Sequence, residues 1–311
     1  MIGEKSFLSR LSVKASATFV RPEMAVEINS SNLGRIGVSS WTYPWAVGTV
    51  PDHLPEEPMS PSTLVRAAAD LRVKVVQIAD NLPLDEFASS DLQSLRQLAQ
   101  SCGIELQVGT RGVDQHHLLN YLRIAEQLGA TLIRSLGGWP GYPAPLSEIQ
   151  GNINAVLPAF MDAGVSLALE NYEVYSTADL ARLGETIANP NFGICLDVTN
   201  SFAAWESAEQ ILDNLASLTI NVHLKDFAIE RTNYLMGFVC VGRPIGQGKL
   251  PLELILSRLA KFDRRPDLIV ELWPPPQKTL DDTVSMEKEW AAESVRYLRT
   301  FAETGHETTA N

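Results

Sequence analysis

Apolar and polar side chains alternate with a period of two in short stretches of this chain, and VSLALE (165–170) shows the pattern clearly. One parity of this stretch holds valine and leucine, whereas the other holds Ser166, Ala168 and Glu170. Successive side chains of a β-strand leave the backbone on opposite faces, so the alternation predicts a strand with one apolar and one narrow face. The narrow face ends in a carboxylate.

Eight such stretches alternate with segments of helical periodicity. The predicted strands are 35–40, 73–80, 104–109, 131–137, 165–170, 192–197, 218–226 and 268–272. Clear amphipathic helices are predicted at 60–72, 91–103, 115–129, 178–188 and 251–262. Eight parallel strands close naturally into a (β/α)8, or TIM, barrel. An open doubly wound sheet is the rival, but no Gly-x-Gly-x-x-Gly turn follows an early strand.

The parity of each strand predicts which side chains fill the barrel. The interior of a barrel tapers, so inward faces should be narrow or polar and outward faces large and apolar. By this rule the inward face of the sixth strand ends at Asp197. In the seventh strand, Thr219, Asn221 and His223 should point inward and Ile220 outward.

Four consecutive strands thus bring Glu170, Asp197, His223 and Glu271 to the carboxyl-terminal rim, where barrel enzymes place their chemistry. Three carboxylates at close range cannot all stay ionised without a cation. We therefore predict these four residues as metal ligands. Their oxygen-rich set suits Mn²⁺ best, with Mg²⁺, Co²⁺ or Zn²⁺ possible. The alternative is that each is an ordinary polar strand end.

The segments ENYEVYS, CLDVTN, VHLKD and VELW resemble the signatures of strands five to eight in the xylose-isomerase-like sugar isomerase/epimerase superfamily of metal-dependent TIM barrels. The likeness extends more loosely over about residues 35–302. It implies that Glu170, Asp197, His223 and Glu271 are the metal ligands. In the epimerases of that superfamily the two ligand glutamates also move protons at the substrate carbon, so it implies that Glu170 and Glu271 are catalytic.

Differences between this sequence and branches of the superfamily narrow the range of reactions that we expect. Ketose 3-epimerases carry an arginine six residues after the ligand histidine, where this chain has Ile229. The branch similar to endonuclease IV needs a histidine-rich site, and this chain has five histidines. We expect a metal-dependent isomerase or epimerase that abstracts a proton beside the carbonyl of a keto sugar and passes through an enediolate. The alternative is a lyase (decarboxylase, dehydratase or β-eliminase) acting on a 3-oxo sugar or sugar acid.

Further polar and aromatic residues after the predicted strands are candidates for substrate binding. Trp41 and Tyr43 suit stacking on a sugar face, although such a cluster is as often core packing. Gln77, Arg111 and Asn200 could hydrogen-bond hydroxyl or carboxylate groups, and Asn200 could also orient the ligands.

The long β7–α7 loop of the predicted barrel, residues 228–249, has the length of a lid or a dimer contact. Its Arg231 and Arg243 could reach the substrate. Lys225 shares the inward parity of His223, so it is either a counter-ion for the carboxylates or a catalytic cation for an anionic substrate or enolate.

Composition sets the remaining expectations. A net charge of −12 makes nucleic acid and anionic membranes improbable partners, so we expect a small sugar or sugar acid as the ligand, with a homo-oligomer possible. Three cysteines favour a reducing, cytoplasmic setting. We expect one barrel domain over 35–302, a flexible extension over 1–34 without an apolar signal region, and a polar tail over 303–311.

Overall fold

The computed structural model describes residues 33–234 and 236–304, and it confirms the closed barrel of eight parallel strands. Its strands are β1 Ile36–Ser39, β2 Val75–Ile78, β3 Glu105–Arg111, β4 Leu132–Leu136, β5 Ser166–Glu170, β6 Phe192–Asp197, β7 Thr219–Leu224 and β10 Asp267–Val270. They follow one another round the barrel in chain order, and β1 closes it by pairing with β10. Each of the eight predicted strands is present.

Helices cover the outside of the barrel. They are α1 Pro44–Val47, α2 Pro61–Asp70, α3 Ser89–Ser101, α4 Gln115–Leu128, α5 Leu146–Ala163, α6 Thr177–Ile187, α7 Val198–Phe202, α8 Ala208–Leu215, α9 Leu252–Lys261 and α10 Leu280–Thr304. Local chemistry sets several ends: the Ser60 side chain caps α2, and Gly129 and Gly164 end α4 and α5 in the left-handed conformation. The main apolar core lies between these helices and the outward faces of the strands.

The barrel interior follows the predicted parity except at one point in β7. A register shift against β6 leaves Ile220 without a partner between Thr219 and Asn221. Because a bulge adds one residue, Ile220 turns inward against Ala168 and Cys195, and the Thr219 hydroxyl bonds outward to the carbonyl of Leu215. The prediction for Thr219 and Ile220 was therefore wrong. The register is restored at Asn221, so His223 still faces the site.

The long segment after β7 is a two-stranded antiparallel ribbon formed by β8 Asp226–Arg231 and β9 Phe238–Arg243. The Asp226 carboxylate sits at its base and accepts hydrogen bonds from the backbone N–H groups of Phe227, Gly246, Gly248 and Leu250. One buried carboxylate thus fixes both ends of the ribbon. The sequence predicted the length of this loop but not its strands.

The chain ends lie partly outside the described residues. Of the predicted extension, only Leu33 and Gly34 are described, and Leu33 packs against the core. Of the predicted tail, 305–311 lie outside the described residues, and α10 runs to Thr304. Across the described ranges, no helix combines the length and the apolar character needed to cross a membrane.

Candidate metal centre

Glu170, His223 and Glu271 converge at the carboxyl-terminal end of the barrel. His223 Nδ1 lies 3.4 Å from Glu170 Oε1 and 3.3 Å from Glu271 Oε1. Ligand atoms of Asp197, His223 and Glu271 all lie within 4.8 Å of one another, and a second such group joins His223 with Glu170 and Cys195. All these side chains are buried. The structure therefore brings the four predicted ligands together in one water-poor pocket.

A hydrogen bond to Gln77, in the barrel interior, sets the orientation of the His223 ring. Its Nε2 lies 2.8 Å from the Gln77 carbonyl oxygen, which can only accept a hydrogen bond. Neutral His223 therefore carries its proton on Nε2, and its Nδ1 lone pair faces the carboxylates. A lone pair aimed at two carboxylate oxygens is unfavourable, so a positive charge is expected there, either a metal ion or a second proton on the ring.

Among the described residues, the buried His223 Nδ1 has no hydrogen-bond partner, whereas the buried Asp197 Oδ2 is paired with the Lys225 ammonium 2.7 Å away. Buried polar atoms are nearly always satisfied, so His223 Nδ1 needs an explanation. A divalent cation would satisfy it, and a set of carboxylate oxygens with one imidazole is chemically suited to Mn²⁺ or Mg²⁺. The residues present therefore fit a metal ion.

The buried charges strongly perturb one another. Burial opposes ionisation of Glu170, but the Arg134 guanidinium and His223 outweigh it and hold the pKa of Glu170 far below its usual range. Burial raises the pKa of Asp197, which Lys225 opposes. Burial lowers the pKa of His223, but Cys195, Glu271 and Glu170 raise it by more. The pKa of His223 therefore lies well above its ordinary value. Opposite charges are therefore paired closely at this end of the barrel.

Arg134 is a site residue that the sequence pattern did not locate, because its parity in TLIRSLG could be read either way. It is buried in β4, where its guanidinium binds Glu170 and lies 2.9 Å from Asp80 Oδ1. Asn200 donates to the other Glu170 oxygen over 2.8 Å. Both oxygens of Glu170 therefore have protein donors.

Lys225 lies between two predicted ligands. Its Nζ is 2.7 Å from Asp197 Oδ2 and 3.0 Å from Glu271 Oε2, and it donates to the Asn200 carbonyl oxygen over 3.3 Å. Burial lowers the pKa of Lys225, but Asp197, Glu271 and Glu170 raise it well above its ordinary value. The ammonium is therefore charged.

Ser39 Oγ donates to Glu271 Oε1 over 3.0 Å, so every ligand carboxylate is oriented by a neighbour.

A cavity of about 290 Å³ opens above these residues. Its polar wall includes Arg111, Arg134, Asn200 and Lys225. Its apolar wall is formed by Trp41, Leu136, Leu272 and Trp273, and Tyr172 and Thr199 complete the lining with Glu271. Tyr172, Leu272 and Trp273 were not predicted, although the VELW motif points to the last two. The cavity has room for a small polyol.

Of the predicted substrate-binding residues, Trp41, Arg111 and Asn200 line this cavity. Arg111 lies over the Trp139 ring at 5.3 Å and its Nη2 is 2.9 Å from Asp80 Oδ2. This pairing leaves further N–H donors of the Arg111 guanidinium for a ligand.

The other four predicted substrate-binding residues lie elsewhere. Tyr43 is buried in the core, and Gln77 is buried beneath His223. Arg231 donates to the Met236 carbonyl within the ribbon, and Arg243 pairs with Glu230. None of the four lines the cavity, because the ribbon satisfies its own arginines and the first loop turns Tyr43 toward the helices.

Comparison with known proteins supplies independent information. The family model described as "Xylose isomerase-like TIM barrel" matches residues 65–301. The chain is 32% identical, over 266 residues, to the 3-oxo-isoapionate decarboxylase of Pectobacterium atrosepticum, covering 85% of this chain and 95% of that protein.

Two solved structures show the same fold. D-psicose 3-epimerase of Clostridium cellulolyticum with D-tagatose superposes with a TM-score of 0.66 at 15% identity, over 86% of this chain and 99% of that one. A xylose isomerase-like TIM-barrel protein of Mycobacterium smegmatis in complex with magnesium gives a TM-score of 0.61 at 12% identity, over 86% and 98%. At these identities the likeness is one of fold.

Proposed function

Since this chain belongs to the xylose isomerase-like TIM-barrel family, we propose that it is a divalent-metal-dependent lyase that removes carbon dioxide from a 3-oxo sugar acid. Three cationic side chains line the small cavity above the predicted ligands, and Arg134 among them is buried against Glu170 and Asp80. The observation that carries the proposal is the remaining pair, Lys225 and Arg111, which are partly exposed to the cavity. Two cations suit an anionic substrate better than a neutral sugar. The name of the curated relative, 3-oxo-isoapionate decarboxylase, points the same way.

The reaction needs a sink for one electron pair. When the bond from the carboxylate to the α-carbon of a 3-oxo acid breaks, carbon dioxide leaves and the electron pair passes to the carbonyl oxygen, giving an enolate. A proton then adds to the α-carbon. A divalent cation, with Mn²⁺ preferred, would polarise the carbonyl and stabilise the negative charge that develops there.

Protein side chains would orient the substrate, stabilise the enolate and return the proton. Arg111, which contacts Trp139 and Asp80, would orient the substrate carboxylate. Lys225 lies where the enolate charge develops and would stabilise it as a point charge. The Lys225–Glu271 pair, with Nζ and Oε2 3.0 Å apart, would hold the proton that returns to carbon. Trp41, Leu272 and Trp273 would exclude water.

Isomerisation or epimerisation of a keto sugar is the second candidate, and it is favoured by the convergence of both Glu170 and Glu271 on the site. That chemistry commonly requires a carboxylate free to take a proton from carbon. Glu170 is poorly suited to this, because Arg134 and Asn200 occupy its two oxygens. Decarboxylation needs only one proton donor, so we favour the lyase.

The test is to incubate the Mn²⁺-loaded protein in D₂O with 3-oxo sugar acids and with the matching neutral keto sugars. We expect carbon dioxide release and one deuteron at the α-carbon of the product, both abolished by chelation. Deuterium exchange into neutral keto sugars without carbon dioxide release would favour the isomerase or epimerase instead. Full activity after exhaustive chelation would remove the metal from both proposals.

A further inference from the structure

One interior layer of the barrel is made of three carboxamides, Gln77, Gln107 and Asn221, each 1% exposed or less. Barrel interiors of this size are ordinarily filled by branched apolar side chains. Buried amides are costly unless their hydrogen bonds are made, so such a layer calls for a specific reason. The layer lies directly beneath the His223 ring.

The direction of every hydrogen bond in this layer follows from Asp267, at the opposite end of the barrel. Its carboxylate can only accept, so Gln107 must turn its NH₂ group toward Asp267 Oδ2, at 2.8 Å. The Gln107 carbonyl oxygen then accepts from the NH₂ groups of Gln77 and Asn221, each at 3.1 Å. Gln77 also donates to Asn221 Oδ1 over 3.1 Å, so its NH₂ group is fully used on this side.

Gln77 is thereby left with its carbonyl oxygen toward His223, 2.8 Å from Nε2. An acceptor there requires a proton on Nε2 and leaves Nδ1 for a cation. The opposite orientation would place an NH₂ group against Nε2 and move the imidazole proton to Nδ1, where it would face Glu170 and Glu271 and block the cation.

We propose that Asp267, acting through Gln107 and Gln77, is a positioning residue that fixes the His223 tautomer competent to bind metal. The proposal rests on the metal site of the proposed function. Asp267 itself is held by the Arg35 guanidinium, with Nε and Nη2 each 2.8 Å from a carboxylate oxygen. A salt bridge at the amino-terminal end of the barrel therefore controls a ligand at the carboxyl-terminal end.

We call the chain of hydrogen bonds from Asp267 through Gln107 and Gln77 to His223 the relay. A matched pair of variants separates an effect of the relay from an effect of simply losing a negative charge. Arg35 also binds the carboxylate of Glu105, for which no hydrogen bond to Gln107 is seen among the described residues. D267N and E105Q each remove one negative charge from the same arginine, but only D267N introduces a donor that lets Gln107 reverse. We expect D267N to weaken Mn²⁺ binding, measured by calorimetry without substrate, by about tenfold, the lower end of effects at residues that orient ligands. E105Q should bind Mn²⁺ as the wild type does.

A second variant covers the case in which D267N does not fold. Q77M keeps the length of the side chain and removes the acceptor for Nε2, so we expect about 10–100-fold weaker Mn²⁺ binding. In the Zn²⁺-loaded protein with ¹⁵N-labelled histidine, the wild type and E105Q should show a slowly exchanging proton on His223 Nε2, which Q77M and D267N should lose.

Equal Mn²⁺ affinities and equal His223 spectra for E105Q and the folded relay variants would overturn the relay alone. If the wild type binds neither Mn²⁺ nor Zn²⁺, the relay and the metal-dependent function fall together. Loss of activity with Mn²⁺ affinity unchanged in every variant would also overturn the relay, because its only proposed effect is on the ligand.

Discussion

At the scale of single residues, the buried charges of the candidate metal centre compensate one another in pairs, so the effect of one side chain depends on its partners. Glu170 is neutralised by Arg134, and Asp197 and Glu271 share Lys225. Removing one member of such a group leaves an uncompensated buried charge, which costs several kcal/mol. Variants here must therefore be judged by metal content and folding as well as by turnover.

His223→Ala and Asp197→Ala should each abolish stoichiometric binding of Mn²⁺, because each removes one of the predicted ligands whose ligand atoms lie within 4.8 Å of one another. Metal content after dialysis, measured by atomic emission, checks this. The exposed His116 on α4 offers a control, since His116→Ala should leave metal content unchanged. A fully metallated H223A protein would contradict the ligand set.

Lys225→Met should retain the metal and lose about 10²-fold or more in turnover, the cost of removing one donor to a developing oxyanion. The physical reason is that the Lys225 ammonium lies at the cavity next to Asp197 and Glu271 but is not itself a ligand. Steady-state kinetics with a 3-oxo sugar acid, alongside metal analysis, test this. Lys74→Met, at an exposed position before β2, is the control. Equal rates for the two variants would make Lys225 a structural counter-ion.

At the scale of elements, sequence reasoning succeeded where a local period determines the outcome. Alternation predicted all eight barrel strands and the inward face that carries Asp197, His223 and Glu271. It failed at Ile220, because a bulge is decided by pairing with β6 and not by the local pattern. It could not place Arg134 or the ribbon, since both depend on contacts between segments distant in the chain.

The ribbon offers a test of one carboxylate. Asp226 accepts four backbone N–H groups from both ends of the β8–β9 segment, so Asp226→Ala leaves these donors without their acceptor. We expect faster cleavage by thermolysin within residues 226–250, with the barrel otherwise intact by circular dichroism. Glu230→Ala, which removes the exposed pair with Arg243, should cleave at nearly the wild-type rate. Equal cleavage rates for the two variants would show that Asp226 does not anchor the ribbon.

A second element-scale test concerns Glu287 of α10, whose carboxylate accepts from the backbone N–H groups of Trp45 and Ala46 in α1. Burial raises the pKa of Glu287 from 4.5 to about 7. The unfolded chain therefore loses this proton first as the pH rises, and the folded state is destabilised progressively between about pH 4.5 and 7, by up to about 3 kcal/mol.

Glu287→Gln cannot titrate, so its free energy of unfolding should fall less steeply than that of the wild type over this range. Urea unfolding at pH 5, 6, 7 and 8 measures both slopes, which removes the constant cost of the lost acceptor from the comparison. Identical slopes would mean that Glu287 titrates normally in the fold.

At the scale of the whole molecule, the two halves of the barrel complete one another. The predicted ligands all lie at the carboxyl ends of β5, β6, β7 and β10, yet their supports Ser39, Gln77 and Arg134 come from β1, β2 and β4. Separating the halves would expose the amides of Gln77 and Gln107 and leave Asn221 without its partners. Neither half alone can satisfy the hydrogen bonds of its interior side chains.

We therefore expect the barrel to unfold in one step, with urea transitions by circular dichroism and by tryptophan fluorescence that coincide. Mn²⁺ at 100 times its dissociation constant should stabilise the folded state by about 2.7 kcal/mol by linkage, and His223→Ala should lose that increment while still unfolding in one step. Fragments 35–164 and 165–302, expressed separately, should not fold. Two separate transitions, or a folded fragment, would show that the halves are independent and that the ligands do not need the strands supporting them.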